Sequence, residues 1–382
     1  MKYKNISNSL YIKGRIGWKG LKKKEYLRKG DYRIINGSNI SNGKINWSDC
    51  GYITKQRYFE SPEIMLQKGD ILVTKDGTIG KVALVEDLVQ PSTIASGLFI
   101  VRNKDTDECD TLFLYYYLQT RKFKEFIHSR TEGSVIPHLY QKDFKEFKIP
   151  DISLANQRQI SSKLNYIQKK ITLNNQLNDN LLELISSIWK KQSSDIHNKI
   201  TLKRLAKRII TGKTPSTKIK ENYGIDIPFV KIPDMHNKIF IDETSQKLSI
   251  FGANSQKNKY VPKNSIIVSC IGTPGLVSLI GRTVQTNQQI NSLILDNKYI
   301  YCTYLELKSL KYKIRNLGSG GTTIQNLNKT NFGNIKITVP NKDSQLDNFN
   351  GIAKPIFERI HVNNIELQNL VKIKEVLLGQ YF

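Results

Sequence analysis

The sequence contains an internal repeat of about half its 382-residue length, which constrains the fold more than any other feature. In each copy a β-rich run leads into a G-T-x-G motif, and a second β-rich run follows. The motif glycines Gly77 and Gly80 of the first copy align with Gly272 and Gly275 of the second copy. A single short motif can recur by chance, so the assignment depends on further matches in the same order.

Three more matches follow the G-T-x-G motif at nearly the same offset. They are Gly133-Ser134-Val135-Ile136 with Gly321-Thr322-Thr323-Ile324, Phe144 with Phe332, and Ile149-Pro150 with Val339-Pro340. Ordered matches at a nearly constant offset predict a tandem duplication.

Each copy ends in a long segment with an apolar period of 3.5 residues and almost no Gly or Pro, at residues 154–191 and 343–380. This pattern predicts two coiled-coil helices. The seam residues predicted to pair them are Ile160, Ile167, Asn174, Leu181, Ile188, Ile356, Asn363, Leu370 and Leu377. If the helices pair antiparallel and cross at their middles, Asn174 is expected to lie beside Asn363, because a buried Asn fixes register.

The region before each helix mixes period-2 apolar runs, Gly/Asn turns and short helical patches, which is an α+β (mixed α/β) composition. We therefore predict two similar globular domains that alternate with two long helices. The predicted bounds are 1–150 for the first domain (here the first body), 151–192 for the first helix, 193–340 for the second domain (the second body) and 341–382 for the second helix.

The chain is strongly basic, with 59 Lys and Arg against 33 Asp and Glu and a formal net charge of +26. Residues 1–200 carry 33 basic and 21 acidic side chains, net +12, and residues 201–382 carry 26 and 12, net +14. A basic tail on a neutral domain is thereby excluded. Two basic bodies on one chain favour a polyanionic partner, and nucleic acid is the commonest one.

Several other classes are disfavoured. The four cysteines are widely separated and the five histidines lack metal-ligand spacing, so we expect no metal site. Neither a signal peptide nor a membrane span is evident, and we expect a soluble cytoplasmic protein. A phosphate-loop-like stretch ends at Lys213-Thr214 but has Lys207 where the first glycine is required, so that motif fails. We expect a non-catalytic chain.

Lysines and arginines can neutralise phosphates, while Asn, Gln, Ser and Thr on turns can reach base edges. Residues 11–29 combine a dense basic cluster with Trp18 and two tyrosines, and polar turns recur in both copies. The predicted DNA contacts are Arg15, Lys19, Lys22, Lys23, Lys24, Asn36, Ser38, Asn39, Lys75, Asp76, Thr78, Lys213, Thr214, Ser216, Thr217, Lys218, Thr286 and Gln288.

Along essentially its whole length the sequence resembles the specificity (S) subunit of type I restriction–modification systems. The residues that carry the resemblance are Gly14-Arg15-Ile16-Gly17-Trp18-Lys19-Gly20-Leu21, Gly69-Asp70-Ile71-Leu72, Lys75-Asp76-Gly77-Thr78-Ile79-Gly80-Lys81, Gly212-Lys213-Thr214-Pro215-Ser216, and the helix entries Pro150 with Gln157 and Pro340 with Gln345.

The resemblance implies that each body is a target recognition domain that reads one half of a bipartite sequence in double-stranded DNA. The two helices would pair antiparallel, act as a spacer and dock two adenine-N6 DNA methyltransferase (M) subunits. Restriction (R) subunits would complete the complex. S-adenosylmethionine, ATP and Mg are then expected in the partner subunits, and no cofactor in this chain.

One departure and two alternatives accompany this interpretation. Residues 201–207, which open the second body, have no evident counterpart before Leu10 in the first body. The main alternative is an orphan DNA-binding or scaffold protein of the same architecture that acts without a nuclease. The third class, an enzyme with unrecognised chemistry, would require a carboxylate cluster in a cleft.

Overall fold

A computed structural model describes residues 2–16, 20–131, 138–196, 198–317 and 327–382 of the chain. It divides into two compact units: unit 1 comprises Met1–Ile171 and Leu370–Phe382, and unit 2 comprises Thr172–Asn369. The repeat match of Gly133–Ile136 with Gly321–Ile324 lies outside the described residues.

The first body is built on a four-stranded antiparallel sheet and a smaller three-stranded sheet. Its elements are β1 (Tyr3–Asn5), β2 (Leu10–Gly14), β3 (Tyr32–Ile35), β4 (Ile40–Ser41), β5 (Lys44–Ile45), β6 (Gly51–Ile53), α1 (Lys55–Phe59), β7 (Ile71–Thr74), β8 (Val82–Leu84), β9 (Ser92–Ile94), β10 (Leu98–Asn103), α2 (Thr111–Tyr117), α3 (Arg121–Thr131) and β11 (Lys148–Pro150). The larger sheet has the order β2-β10-β7-β8, and the smaller has the order β6-β3-β9 with β3 and β9 parallel. Strand β7 is buried along its whole length, so its two faces pack into separate cores.

The second body repeats this plan. Its elements are β12 (Lys199–Thr201), α5 (Leu202–Leu205), β13 (Arg208–Thr211), β14 (Tyr223–Gly224), β15 (Ile227–Val230), α6 (Ile232–Met235), β16 (Phe240–Ile241), β17 (Lys247–Leu248), α7 (Ile250–Asn254), β18 (Ile266–Ser269), β19 (Val277–Ile280), β20 (Gln285–Thr286), β21 (Ile290–Ile294), α8 (Ile300–Ser309), α9 (Lys311–Leu317), α10 (Lys329–Gly333) and β22 (Lys336–Thr338). Its larger sheet has the order β13-β21-β18-β19-β16, in which the first four strands match the larger sheet of the first body and β16 is added parallel to β19. Strand β15 pairs with β20 in parallel as β3 does with β9. The predicted mixed α/β duplication is thus confirmed.

The structure corrects the departure noted at the start of the first body. Strand β1 pairs antiparallel with β11, just as β12 pairs with β22. Ile6 and Leu202 follow these strands and are both buried. The opening strand therefore has a counterpart before Leu10, but the turn that follows it is shorter in the first body and hides the match in sequence.

The two long helices are α4 (Leu154–Ser193) and α11 (Asp343–Tyr381), within two residues of the periodic segments 154–191 and 343–380. Within unit 2 they run antiparallel. The rings of Trp189 and Phe349 lie 4.7 Å apart, and Asn363 Nδ2 donates to Asn178 Oδ1 at 3.0 Å.

The predicted contact between Asn174 and Asn363 is wrong by one helical turn. Asn174 instead donates to Glu366 Oε2 at 2.9 Å, and Asn178 takes its place beside Asn363. Residues four apart lie on the same helix face, so the apolar period alone does not choose between Asn174 and Asn178.

The predicted seam row is largely half-buried, and a neighbouring row is more deeply buried. Ile188 and Leu181 pack against the second-body core, as does Ile356. The more deeply buried positions of α4 are Gln157, Ser161, Leu164, Asn178, Leu182, Ile185 and Trp189. Each helix therefore buries a face wider than a strict coiled-coil seam, because it also packs against a globular body.

Within unit 1 both helices contact the first body. The Asp110 backbone amide donates to Gln157 Oε1 of α4 at 2.9 Å. At the end of α11, Leu377 packs against the same core as Ile160, and the ring of Phe382 lies 5.0 Å from that of Phe113. The first body is thereby anchored to residues more than 200 positions away in the sequence.

Candidate nucleic-acid interface

Strands β2, β3 and β7 end at the same edge of the first body. Gly14 and Thr74 both pair with the start of β10, opposite Phe99 and Leu98. The Lys75 backbone amide donates to the Gly97 carbonyl at 2.9 Å. The loops that leave these strands therefore meet at one surface, here called the loop edge.

The G-T-x-G motif forms a tight turn at the loop edge. Thr74 Oγ1 donates to the Thr78 carbonyl at 2.6 Å and accepts from the Lys81 amide at 2.9 Å. Gly77 and Gly80 have φ values of 66° and 83°, a region that favours glycine. Asp76 and Thr78 are consequently held exposed on a rigid turn.

The second body builds the same turn with Ser269 in place of Thr74. Ser269 Oγ donates to the Thr273 carbonyl at 2.5 Å and accepts from the Leu276 amide at 2.9 Å. Gly272 and Gly275 have φ values of 78° and 95°. The duplication therefore extends to individual hydrogen bonds. The two turns share an exposed threonine, Thr78 and Thr273, and differ at Asp76, whose place Ile271 takes in the second body.

A second pair of equivalent turns lies beside the first. The Asn36 amide donates to Asn39 Oδ1 at 2.8 Å, and the Lys231 amide donates to Asp234 Oδ2 at 2.9 Å. Ser38 is exposed on the first of these turns. The Tyr26 hydroxyl donates to Asn36 Oδ1 at 3.2 Å, which fixes that amide.

In the second body the predicted contacts Lys213, Thr214 and Gln288 are brought together just after β13 and β20 end, at the surface here called the loop edge of the second body. The Lys213 amide donates to the Thr286 carbonyl at 2.9 Å, and Thr214 Oγ1 donates to Gln288 Oε1 at 2.6 Å. Lys213 and Gln288 are exposed there. Ser216, Thr217 and Lys218 follow on an exposed loop.

Three of the residues predicted to contact DNA are buried in the interior of their bodies. Arg15 is only 3% exposed. Its Nε donates to the Ile94 carbonyl at 3.1 Å, and burial together with nearby Arg57 lowers the pKa of its guanidinium. Asn39 and Thr286 are also buried. We leave these three side chains out of the interface, because a buried group does not reach a ligand at the surface.

Lys22 and Lys24 are exposed, and Lys75 is half-buried with its Nζ 4.9 Å from the centre of the Phe99 ring. Lys19 lies outside the described residues, as does the side chain of Lys23.

Sequence reasoning missed a cluster beside Asp76. His138 Nδ1 contacts Asp76 Oδ1, and its ring lies 4.6 Å from that of Tyr140. Lys142 Nζ lies 5.4 Å from the centre of the Tyr140 ring. These residues are far from the G-T-x-G motif in sequence, and only the tertiary fold places them there. They add a cation and an exposed aromatic ring to the loop edge.

The chemistry of both loop edges suits recognition. Their exposed groups are amines, hydroxyls, amides and one carboxylate, which match phosphates and base edges. Among the described residues no group of three or more His, Cys, Asp or Glu could hold a metal ion. No helix in the described ranges is both long and apolar enough to cross a membrane.

Comparison with known proteins gives a consistent result. A family model described as the type I restriction modification DNA specificity domain matches residues 16–183 and, a second time, residues 197–371. The HindI specificity subunit of Haemophilus influenzae is 46% identical over 175 residues, which are 45% of this chain and 38% of that protein.

Two further comparisons extend along nearly the whole chain. The MjaIX specificity subunit of Methanocaldococcus jannaschii is 26% identical over 386 residues, covering 93% of this chain and 86% of that subunit. The crystal structure of a type I restriction–modification S subunit from M. genitalium superposes with a TM-score of 0.60 and 19% identity, over 100% of this chain and 96% of that one. At this identity the structural likeness supports the fold alone.

Proposed function

This chain belongs to the type I restriction–modification DNA specificity family, and on that premise we propose that it directs a methyltransferase and nuclease complex to a bipartite DNA sequence. Each body would read one half of the target through its loop edge. The observation that carries this proposal is the repetition of one turn with the same hydrogen bonds in both bodies, while the residue before its first glycine is the exposed Asp76 in the first body and Ile271 in the second. A duplicated frame with divergent surface groups suits the reading of two different half-sites.

We propose that two M subunits dock on the long helices. Leu173 and Leu184 of α4 and the repeat-equivalent Val362 and Ile373 of α11 are exposed apolar residues. Apolar side chains that recur on a solvent-facing helix surface are typical of a protein interface. Their recurrence at the same offset on both helices supports two equivalent docking faces and hence two copies of the partner.

In this proposal the chain is non-catalytic. S-adenosylmethionine would bind the M subunits, and ATP and Mg the R subunits that join them. The complex would work in the cytoplasm on double-stranded DNA, without a membrane partner.

Co-expression with a methyltransferase of a type I system tests the proposal. We expect co-purification and S-adenosylmethionine-dependent transfer of methyl groups to duplex DNA that requires this chain. A variant in which both Leu173 and Leu184 are replaced by Glu is expected to bind one M subunit instead of two while remaining folded, because the face on α11 is unchanged. Replacement of Lys104, an exposed residue of the first body, by Glu is the control. Methyl transfer of equal rate and position without the chain would refute the proposal.

A further inference from the structure

The second body has an exposed apolar surface next to its loop edge. Ile219, Ile225, Ile250 and Phe251 are 46%, 84%, 58% and 64% exposed. A contiguous group of large exposed apolar residues usually marks an interaction site.

Three segments that touch one another contribute these side chains, here called the apolar surface. The Ile250 amide donates to Asp226 Oδ2 at 3.1 Å, which joins the start of α7 to the turn between β14 and β15. The Ser249 amide donates to the Asn222 carbonyl at 3.1 Å, which joins α7 to the turn that begins at Ile219.

The apolar surface continues into the predicted recognition loop that follows Lys213. Asn222 Nδ2 donates to the Ser216 carbonyl at 2.9 Å, and the Tyr223 hydroxyl donates to the Pro215 carbonyl at 2.9 Å. Lys218 and Lys220 are exposed at its border. Glu221 and Asp226 are exposed beside them, so the border carries charges of both signs, and what points to DNA is the continuity of the apolar surface with the predicted recognition loop.

The equivalent surface of the first body can be located from the duplicated frame. Thr54 caps α1 by accepting from the Arg57 amide, as Ser249 caps α7 by accepting from the Gly252 amide. Each body also has a short 3-10 helix before this part of its smaller sheet, at Lys23–Glu25 and Lys220–Asn222.

When the two bodies are aligned on these matching elements, a polar or charged residue of the first body corresponds to each of the four residues of the apolar surface. Lys22 corresponds to Ile219, the Arg28-Lys29 tip to Ile225, Lys55 to Ile250 and Gln56 to Phe251. All of these first-body residues are exposed. They include part of the basic cluster assigned above to DNA binding, so the same face of both bodies is expected to meet the duplex.

Resting on the proposed function, we propose that the apolar surface of the second body packs against thymine methyl groups of its half-site, whereas its first-body equivalent contacts phosphates. The thymine methyl is the apolar group that a base pair presents in the major groove. The two copies of one surface would thus bind DNA by different forces, through apolar contact in one and through charge in the other.

Affinity measurements on the chain assembled with its methyltransferase test this, using the target duplex mapped by methylation. Phe251→Ser is expected to weaken binding about tenfold through loss of apolar contact. The slope of log affinity against log salt should stay unchanged, because no phosphate contact is lost. Lys29→Ala in the first body is expected to weaken binding and to reduce that slope by up to about one unit.

Replacement of each thymine in the second half-site by deoxyuridine removes the methyl group alone. At one or more positions this is expected to weaken wild-type binding by about fourfold, the value of one buried methyl group. At a thymine that Phe251 contacts, the same substitution should have no further effect on Phe251→Ser. Ile225→Ser serves as a second variant, and Tyr312→Ser, which alters an exposed ring elsewhere in the second body, is the control.

Three results separate the possibilities. Wild-type affinity in both Phe251→Ser and Ile225→Ser would overturn this inference and leave the proposed function intact. Loss of methyltransferase from either variant, with DNA binding by the remaining complex unchanged, would also overturn it and assign the surface to a protein partner. A wild-type complex with no preference for its mapped target would instead refute the proposed function.

Discussion

The buried amide pair between α4 and α11 offers a sharp test of how the helices hold their register. Asn363 is fully buried and Asn178 nearly so. Asn363 Nδ2 donates to Asn178 Oδ1, but Asn363 Oδ1 has no hydrogen-bond partner within the described part of the chain. The perturbation is Asn178→Leu and Asn363→Leu, singly and together.

The expected free energies of unfolding follow from these contacts. Asn178→Leu leaves both polar atoms of Asn363 buried and unpaired, and a newly unsatisfied buried group costs about 1 to 3 kcal/mol. The double variant removes both amides, including the unpaired oxygen. We expect it to be more stable than the wild type by about 1 to 3 kcal/mol, because well-packed apolar residues that replace a buried polar pair are often stabilising.

Urea unfolding of the isolated chain, followed by circular dichroism, measures the free energy of unfolding of the wild type, the two single variants and the double variant. Asn180→Leu and Asn369→Leu are controls, because both change exposed residues of the same helices. A double variant as destabilised as the sum of its single variants would refute the reasoning. It would show that the amide pair stabilises the fold, whereas we expect it to select the register at some expense in stability.

Three further predictions concern stability. Burial lowers the pKa of Lys374 to about 8, so the unfolded chain binds more protons than the folded chain above that pH. The free energy of unfolding should therefore rise between pH 8 and about 10, and Lys374→Met should flatten this rise in urea titrations. Phe382→Ala removes a ring packed on the first body and should lower the free energy of unfolding by about 2 kcal/mol, measured by thermal melting. Gly275→Ala places a Cβ 2.7 Å from the Lys311 carbonyl at φ 95° and should destabilise by more than about 1 kcal/mol, whereas Gly351→Ala, which meets no atom within 4 Å in a helix, should be neutral or stabilising.

Each of these predictions has a contradicting result. A pH-independent difference between wild type and Lys374→Met would show that the amine titrates normally in the folded chain. An unchanged melting temperature for Phe382→Ala would show that the contact contributes nothing. Equal effects of Gly275→Ala and Gly351→Ala would show that the positive φ of Gly275 does not disfavour an alanine there.

The sequence predicts the two long helices and the two G-T-x-G turns well, because these elements depend on local sequence patterns. The period of 3.5 residues locates both helices to within two residues, and the paired glycines locate both turns. The chain reversal in each turn needs positive φ at two positions, and glycine adopts it most readily. The predicted strands around Gly272 are present as β18 and β19.

The remaining features depend on tertiary placement, which composition does not encode. Arg15 lies in a basic run but turns inward, where the Ile94 carbonyl of β9 and the Ser61 hydroxyl accept its hydrogen bonds. The helix register was missed by one turn, because Asn174 and Asn178 share a face. The apolar surface near Phe251 was overlooked because its four residues come from three separate segments.

The measurement that tests the central claim most directly is a map of methylated adenines produced by the assembled complex. We predict a bipartite motif, in which the double variant Asp76→Ala, Thr78→Ala relaxes one half and Gln288→Ala relaxes only the other. The first-body turn is held by Thr74 and backbone groups, which its variant leaves in place. Gln288→Ala removes the acceptor of the Thr214 hydroxyl, so an unchanged melting temperature of both variants is the control for folding. A single undivided motif, or a motif in which either variant alters both halves alike, would contradict the assignment of one half-site to each body.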